Sequence, residues 1–197
     1  MNKLSKTTTK FTKIIILLKL AIISAGVIFV ILHFIDNNQW YKILSYFATI
    51  AVVFVPEGLS FFGLKISPQL HLAYLLFLVP SMIFGIDLDL YRLWDGYDKA
   101  IHLLSGVFAT FVMLEVINNC KIKDRRFAFL ALISFVALTA VGWECFEFFY
   151  DQIFGGSMQQ LIRSGVEDTM WDLTAAMSGG LLTCFSWLIY SSKNGSK

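Results

Sequence analysis

Apolar residues run in long blocks along this chain, and polar residues collect in the short gaps between them. Six blocks stand out, at about 14–35, 41–63, 68–86, 100–117, 127–149 and 169–190. Crossing a bilayer core takes about 20 apolar residues in a helix, and these blocks match that length. The pattern predicts an all-α fold, a polytopic transmembrane bundle of six spans. No gap has room for a soluble domain, since the longest connection runs only from 150 to 168, so 1–197 is expected to form a single integral membrane domain. The second block is the least regular, because Pro56, Glu57 and Gly58 interrupt it near one end. Pro80 predicts a kink in the third, since proline removes a backbone donor and crowds the preceding turn.

Composition agrees with the pattern. The chain is 57% apolar and 15% charged, where soluble domains are nearer half and a quarter. Mean hydropathy is +0.68. The net charge of +2 says little, whereas the placement of charge is informative. Basic residues occupy the N-terminal tail (Lys3, Lys6, Lys10, Lys13), the second turn (Lys65), the fourth loop (Lys121, Lys123, Arg125, Arg126) and the C-terminal tail (Lys193, Lys197). The alternate connections carry acids: Asp36, then Asp87, Asp89 and Asp95, then Asp151 and Glu167. Lys and Arg near short loops stay on the cytoplasmic side, so both termini are expected to be cytoplasmic. The first apolar block is too long for a signal-peptide core and is read as a retained span. Ala175/Gly179 and Ala176/Gly180 in the last span suit close helix packing. Cys120, Cys145 and Cys184 form no CxxC pair and are read as packing residues.

Against this background three ionisable pairs at helical spacing stand out: Asp98/His102, Glu144/Glu147 and Asp168/Asp172. Residues three or four apart share a helix face, and charge inside a membrane segment marks a functional site by default. In the expected topology all six residues lie at similar depth beneath the outer surface. A bundle uniting the last three spans would place five carboxylates and one imidazole in one cavity. Five crowded carboxylates cannot all stay ionised without bound protons, a cation or basic partners. The nearest basic residues, Lys99 and Arg163, are too few to balance them. His102, Glu144, Glu147 and Asp172 are therefore the leading candidate metal ligands. Asp98 and Asp168 are outer members, whose places near helix N-termini also suit headgroup anchoring. By ligand type the cofactor would be a divalent metal, Zn, Mn or Mg. Glu144 and Glu147 are the candidates for any catalytic role. Glu57 and Glu115, near cytoplasmic span ends, are read as interfacial anchors, with cation binding or pairing with Lys65 or Arg125 as the alternatives, and His33 and His71 as structural. Asp87, Asp89, Tyr91 and Arg92 border the expected cavity, and the loop through Gly155, Gly156, Met158, Leu161 and Ile162 could lie on the membrane surface or act as a lid.

The stretches Y-D-K-x-x-H-L-L-S-G (Tyr97 to Gly106), W-E-x-x-E-F (Trp143 to Phe148) and D-T-x-x-D (Asp168 to Asp172) resemble the YjdF-type family of bacterial inner-membrane proteins. A more distant similarity is to VanZ-like proteins, with D-K-x-x-H, then E, then D in order. The resemblance covers about 66–182 and implies a multi-pass protein of the bacterial cytoplasmic membrane in which the three motifs act as one unit. Family members often carry an Asp directly after the Gly, where this chain has Val166 and then Glu167. The VanZ-like similarity implies recognition of a cell-wall precursor or antibiotic.

Three functions fit: an enzyme acting on an envelope lipid through a bound metal, a binder of a lipid-linked precursor or antibiotic, and a proton- or cation-coupled transporter using His102. The lipid bilayer is the expected partner. Nucleic acid is not, because the basic stretches are short and flank the spans. No Gly-rich phosphate loop or nucleotide fingerprint is present.

Overall fold

The computed structural model describes residues 3–35, 40–94, 96–155, 158–159 and 165–194. Asp36, Asp95, Gly156, Leu161, Ile162, Arg163 and Lys197 lie outside the described residues. Among those described, every regular element is helical: α1 (Lys3–Ile35), α2 (Trp40–Val52), α3 (Val55–Phe61), α4 (Pro68–Leu78), the short α5 (Leu90–Leu93), α6 (Tyr97–Asn119), α7 (Arg125–Phe154) and α8 (Gly165–Asn194). In lipid the backbone must satisfy its own hydrogen bonds, and a helix does so within one segment. Five helical segments are long and apolar enough to cross a membrane: Lys10–Leu32, Pro68–Ile86, Tyr97–Asn119, Arg125–Phe154 and Gly165–Ser192. The pair α2 and α3, bent by 46°, makes a sixth if counted as one broken span.

Both irregularities fall where proline stands. Pro56 occupies the first turn of α3, where its missing N–H costs nothing, so the helix restarts there. Pro80 widens its helix instead of breaking it. A π-helical segment, Val79–Asp87, continues α4 and is closed by Leu88 N–H donating to Ile83 O at 3.0 Å. Losing one donor from the i→i−4 ladder favours this re-registration. The Ser81 hydroxyl donates to the Phe77 carbonyl at 2.8 Å and helps satisfy the disturbed turn.

The chain divides into two compact units, Met1–Asp95 and Gly96–Lys197. In the first, Ile15, Ile22, Val53, Leu75 and Leu78 form the core where α1 meets the broken span and α4. Tyr74 donates to the Val52 carbonyl at 2.7 Å and so caps an acceptor exposed by the break. Lys19, a charge within the first apolar block, pairs with Glu57, and His71 Nε2 stands 3.9 Å from the same carboxylate oxygen. From the sequence Glu57 is expected to be an interfacial anchor or a partner of Lys65 or Arg125. The break after Val52 instead sets it beside Lys19.

In the second unit α6, α7 and α8 pack on one another. The tightest approach is between α6 and α8. A Cβ on Gly106 would stand 1.9 Å from the Ala176 carbonyl oxygen, and one on Gly179 would stand 2.0 Å from that of Leu103. Only glycine permits this reciprocal contact, and it brings the two backbones together one turn from His102 and Asp172. Thr110 is fully buried beside the contact and donates to Gly106 O at 2.9 Å. Toward the other end, Ile117, Ala128, Leu132 and Cys184 form a second core. Asp124 starts α7 by accepting from Arg126 N–H at 2.8 Å and Phe127 N–H at 2.9 Å. Gly155 ends it in the left-handed conformation, φ 67°, a typical helix stop.

Candidate functional site

The α6–α8 contact, with α7 laid against both, holds the ionisable pairs at one end of this unit. Asp172 is fully buried, and His102, Glu144, Glu147 and Asp98 are each 5–7% exposed. Asp98 is buried here about as deeply as His102, Glu144 and Glu147. Its carboxylate points into the protein and is one of the central groups.

His102 Nε2 is the hub. It lies 3.5 Å from Asp98 Oδ1, 3.8 Å from Glu144 Oε1 and 3.8 Å from Asp172 Oδ1. These separations exceed ordinary hydrogen bonds. The Glu144 and Asp172 oxygens in question are both buried and accept no hydrogen bond among the described residues. The Glu144 oxygen is thereby left without a donor, which is costly, whereas the Asp172 oxygen has the Lys99 ammonium 2.8 Å away. Asp98, His102 and Asp172 could hold a metal ion, each offering one ligand atom, with all three atoms within 4.8 Å of one another.

Lys99 supports the group from the other side. Its ammonium pairs with Asp168 and donates to Asp98 Oδ2 at 3.1 Å and to Asp172 Oδ2 at 3.0 Å. Asp172 Oδ1 is also 2.8 Å from Nζ, at an angle that makes no hydrogen bond. Asp98 thus gives one oxygen to Lys99 and turns the other toward His102, whereas both oxygens of Asp172 lie within 3.0 Å of the ammonium. Sequence reading treated Lys99 only as insufficient countercharge. Its place in the D-K-x-x-H motif, directly after Asp98, was the signal for a closer role.

The remaining candidates divide. Glu147 is buried, but its Oε1 accepts from Trp143 Nε1 at 2.6 Å on the same helix. Asp168 is engaged by Lys99 and stands outside the His102 hub. Glu144 also interacts with the Thr169 hydroxyl, to which Gln159 Nε2 donates at 3.3 Å. Asp151, one turn beyond Glu147, accepts from the backbone N–H groups of Met158 at 2.9 Å and Gln159 at 3.0 Å. It ties the chain beyond α7 back to that helix, a role its position in an acidic connection did not suggest. Asp89 and Arg92 pair with each other at 2.6 Å, and Tyr91 donates to Ser81 O at 3.0 Å, all within the first unit.

Comparison with curated proteins and with solved structures found no match. A family model matches residues 15–193, a stretch that takes in most of each unit and every residue of the His102 cluster. The chain belongs to the family described as predicted membrane protein (DUF2238).

Proposed function

We propose that the second unit carries a divalent-cation site formed by Asp98, His102 and Asp172, with Glu144 beside it, facing the extracytoplasmic side of a bacterial cytoplasmic membrane, and that it recognises the phosphorylated headgroup of an envelope lipid or lipid-linked precursor. The observation that carries this reading is the geometry around His102. Ligand atoms about 2.1 Å from a tetrahedral ion stand roughly 3.4 Å from one another. The three carboxylate oxygens facing Nε2 lie 3.5, 3.8 and 3.8 Å away, and the Glu144 oxygen among them has no hydrogen-bond donor among the described residues.

Charge supports the same reading. Asp98, Glu144, Asp168 and Asp172 bring four formal negative charges and Lys99 returns one, leaving three. A divalent ion reduces that excess to one. One imidazole with two carboxylates suits Zn or Mn, and Mg is the alternative where carboxylates dominate.

The basic loops and tails support an orientation with both termini in the cytoplasm. This orientation puts the His102 end of α6, α7 and α8 at the outer leaflet, among lipid headgroups. A metal there would polarise a phosphoryl oxygen, while Lys99 keeps Asp98 aimed at it. Glu147, held by Trp143, stays outside the ligand set and is the remaining candidate for proton transfer.

Elemental analysis of the purified protein tests the proposal. Wild type should carry about one divalent ion per chain and His102→Ala essentially none. Metal-free wild type after purification without chelator, with no uptake on titration, would end this reading.

A further inference from the structure

Asp151 is buried in the last turn of α7, the end at which the helix dipole disfavours a carboxylate. Two backbone donors compensate it, the N–H groups of Met158 at 2.9 Å and Gln159 at 3.0 Å. This clamp fixes the Gln159 backbone against α7. From there the Gln159 side chain reaches α8, where its Nε2 donates to Thr169 Oγ1 at 3.3 Å. Thr169 in turn makes a side-chain hydrogen bond with the Glu144 carboxylate. A hydroxyl has a single proton to give. The Gln159 amide occupies one lone pair of Oγ1 and leaves that proton for Glu144. Glu144 Oε1 makes no hydrogen bond among the described residues, so the Thr169 bond falls on the other carboxylate oxygen. Oε1 is the oxygen that faces His102 Nε2, at 3.8 Å.

We propose that Thr169 and Gln159 are positioning residues for Glu144, holding one carboxylate oxygen so that the other stays open, beside His102, to a divalent cation. The inference rests on the cation reading of the His102 cluster and extends it. It brings the open oxygen of Glu144 within reach of the same ion, and it makes two residues outside the cluster part of the site. A carboxylate gripped at one oxygen cannot rotate its open oxygen away from His102. Outer-shell hydrogen bonds of this kind fix the orientation of metal ligands, and their loss weakens metal binding by about 10–100-fold.

Titration of the detergent-solubilised full chain with Zn and with Mn, together with hydrogen exchange of the peptide containing Met158 and Gln159, tests it. Thr169→Val keeps the side-chain shape and removes the hydroxyl, and should weaken ion binding about tenfold. Thr169→Ser, which restores the hydroxyl, should bind as wild type does. Gln159→Leu should also weaken binding, and the double variant should be no weaker than Thr169→Val alone, because both residues act through one chain of hydrogen bonds. Saturating ion should slow exchange at Met158 and Gln159 in wild type, since coupling between sites is reciprocal, and Thr169→Val should abolish that slowing. Wild-type affinity in both Thr169→Val and Gln159→Leu would overturn this inference and leave the cation reading standing. Thr169→Val that alters exchange but not affinity marks a purely structural tie and overturns it equally. Wild type that takes up no ion fails the cation reading and this inference with it. Gln159 is only half-buried, so Gln159→Leu carries the test where Thr169→Val does not fold.

Discussion

Replacing Gly106 with alanine adds one methyl group a full turn away from the nearest candidate ligand, yet it should disable the site. The added carbon would sit 1.9 Å from the Ala176 carbonyl oxygen and 2.7 Å from its carbon. Close carbon–oxygen contacts between helices settle near 3.3 Å or more, so α6 and α8 must part by about 1.4 Å. Gly106 is four residues after His102, and Ala176 is four after Asp172. The separation therefore passes directly to the 3.8 Å spacing between His102 Nε2 and Asp172 Oδ1, which becomes about 5 Å. One ion with bonds of about 2.1 Å spans at most ~4.2 Å between two ligands, so Asp172 would leave the shell. We expect divalent-metal affinity to fall by ~10–100-fold, the scale seen when ligand support is lost. The overpacked contact should also lower stability by about 1–3 kcal/mol. Thermal melts and metal titrations of purified protein in detergent read both effects. Gly142→Ala is the internal control: a Cβ there meets nothing within 4 Å, so it should leave metal affinity intact and gain ~0.5–1 kcal/mol. If Gly106→Ala melts and binds metal as wild type does, the α6–α8 approach does not set the site and the reasoning fails.

Lys99→Met leaves Asp98, Asp168 and Asp172 without their shared cation. It should destabilise the metal-free protein by ~3 kcal/mol, with much of the loss recovered at saturating divalent ion; a melt unchanged without metal would show that Lys99 is not the compensating charge. In the first unit, Lys19→Leu should cost about 3 kcal/mol, because it leaves the Glu57 carboxylate without its cation against a membrane-spanning segment. An unchanged melt would refute that argument.

How much of this was readable beforehand differs between the fold and the site. Periodicity and block length were enough for an all-helical membrane protein, because every lipid-crossing segment must be apolar and internally hydrogen-bonded whatever its neighbours do. Pro56 and Pro80 were visible as disturbances, but not as a bent pair in one case and a π-helical continuation in the other. That outcome depended on which neighbouring groups, Tyr74 at Val52 and Ser81 at Phe77, could satisfy the freed carbonyls.

The helical spacing of Asp98/His102, Glu144/Glu147 and Asp168/Asp172 follows from residue order alone, because a helix fixes which neighbours share a face. Only the tertiary structure sorted these residues into a hub around His102, Asp168 committed to Lys99, and Glu147 turned to Trp143. The reason is the close approach at Gly106 and Gly179. How near two helices come depends on backbone atoms meeting across an interface, and spacing along either chain segment carries no record of it.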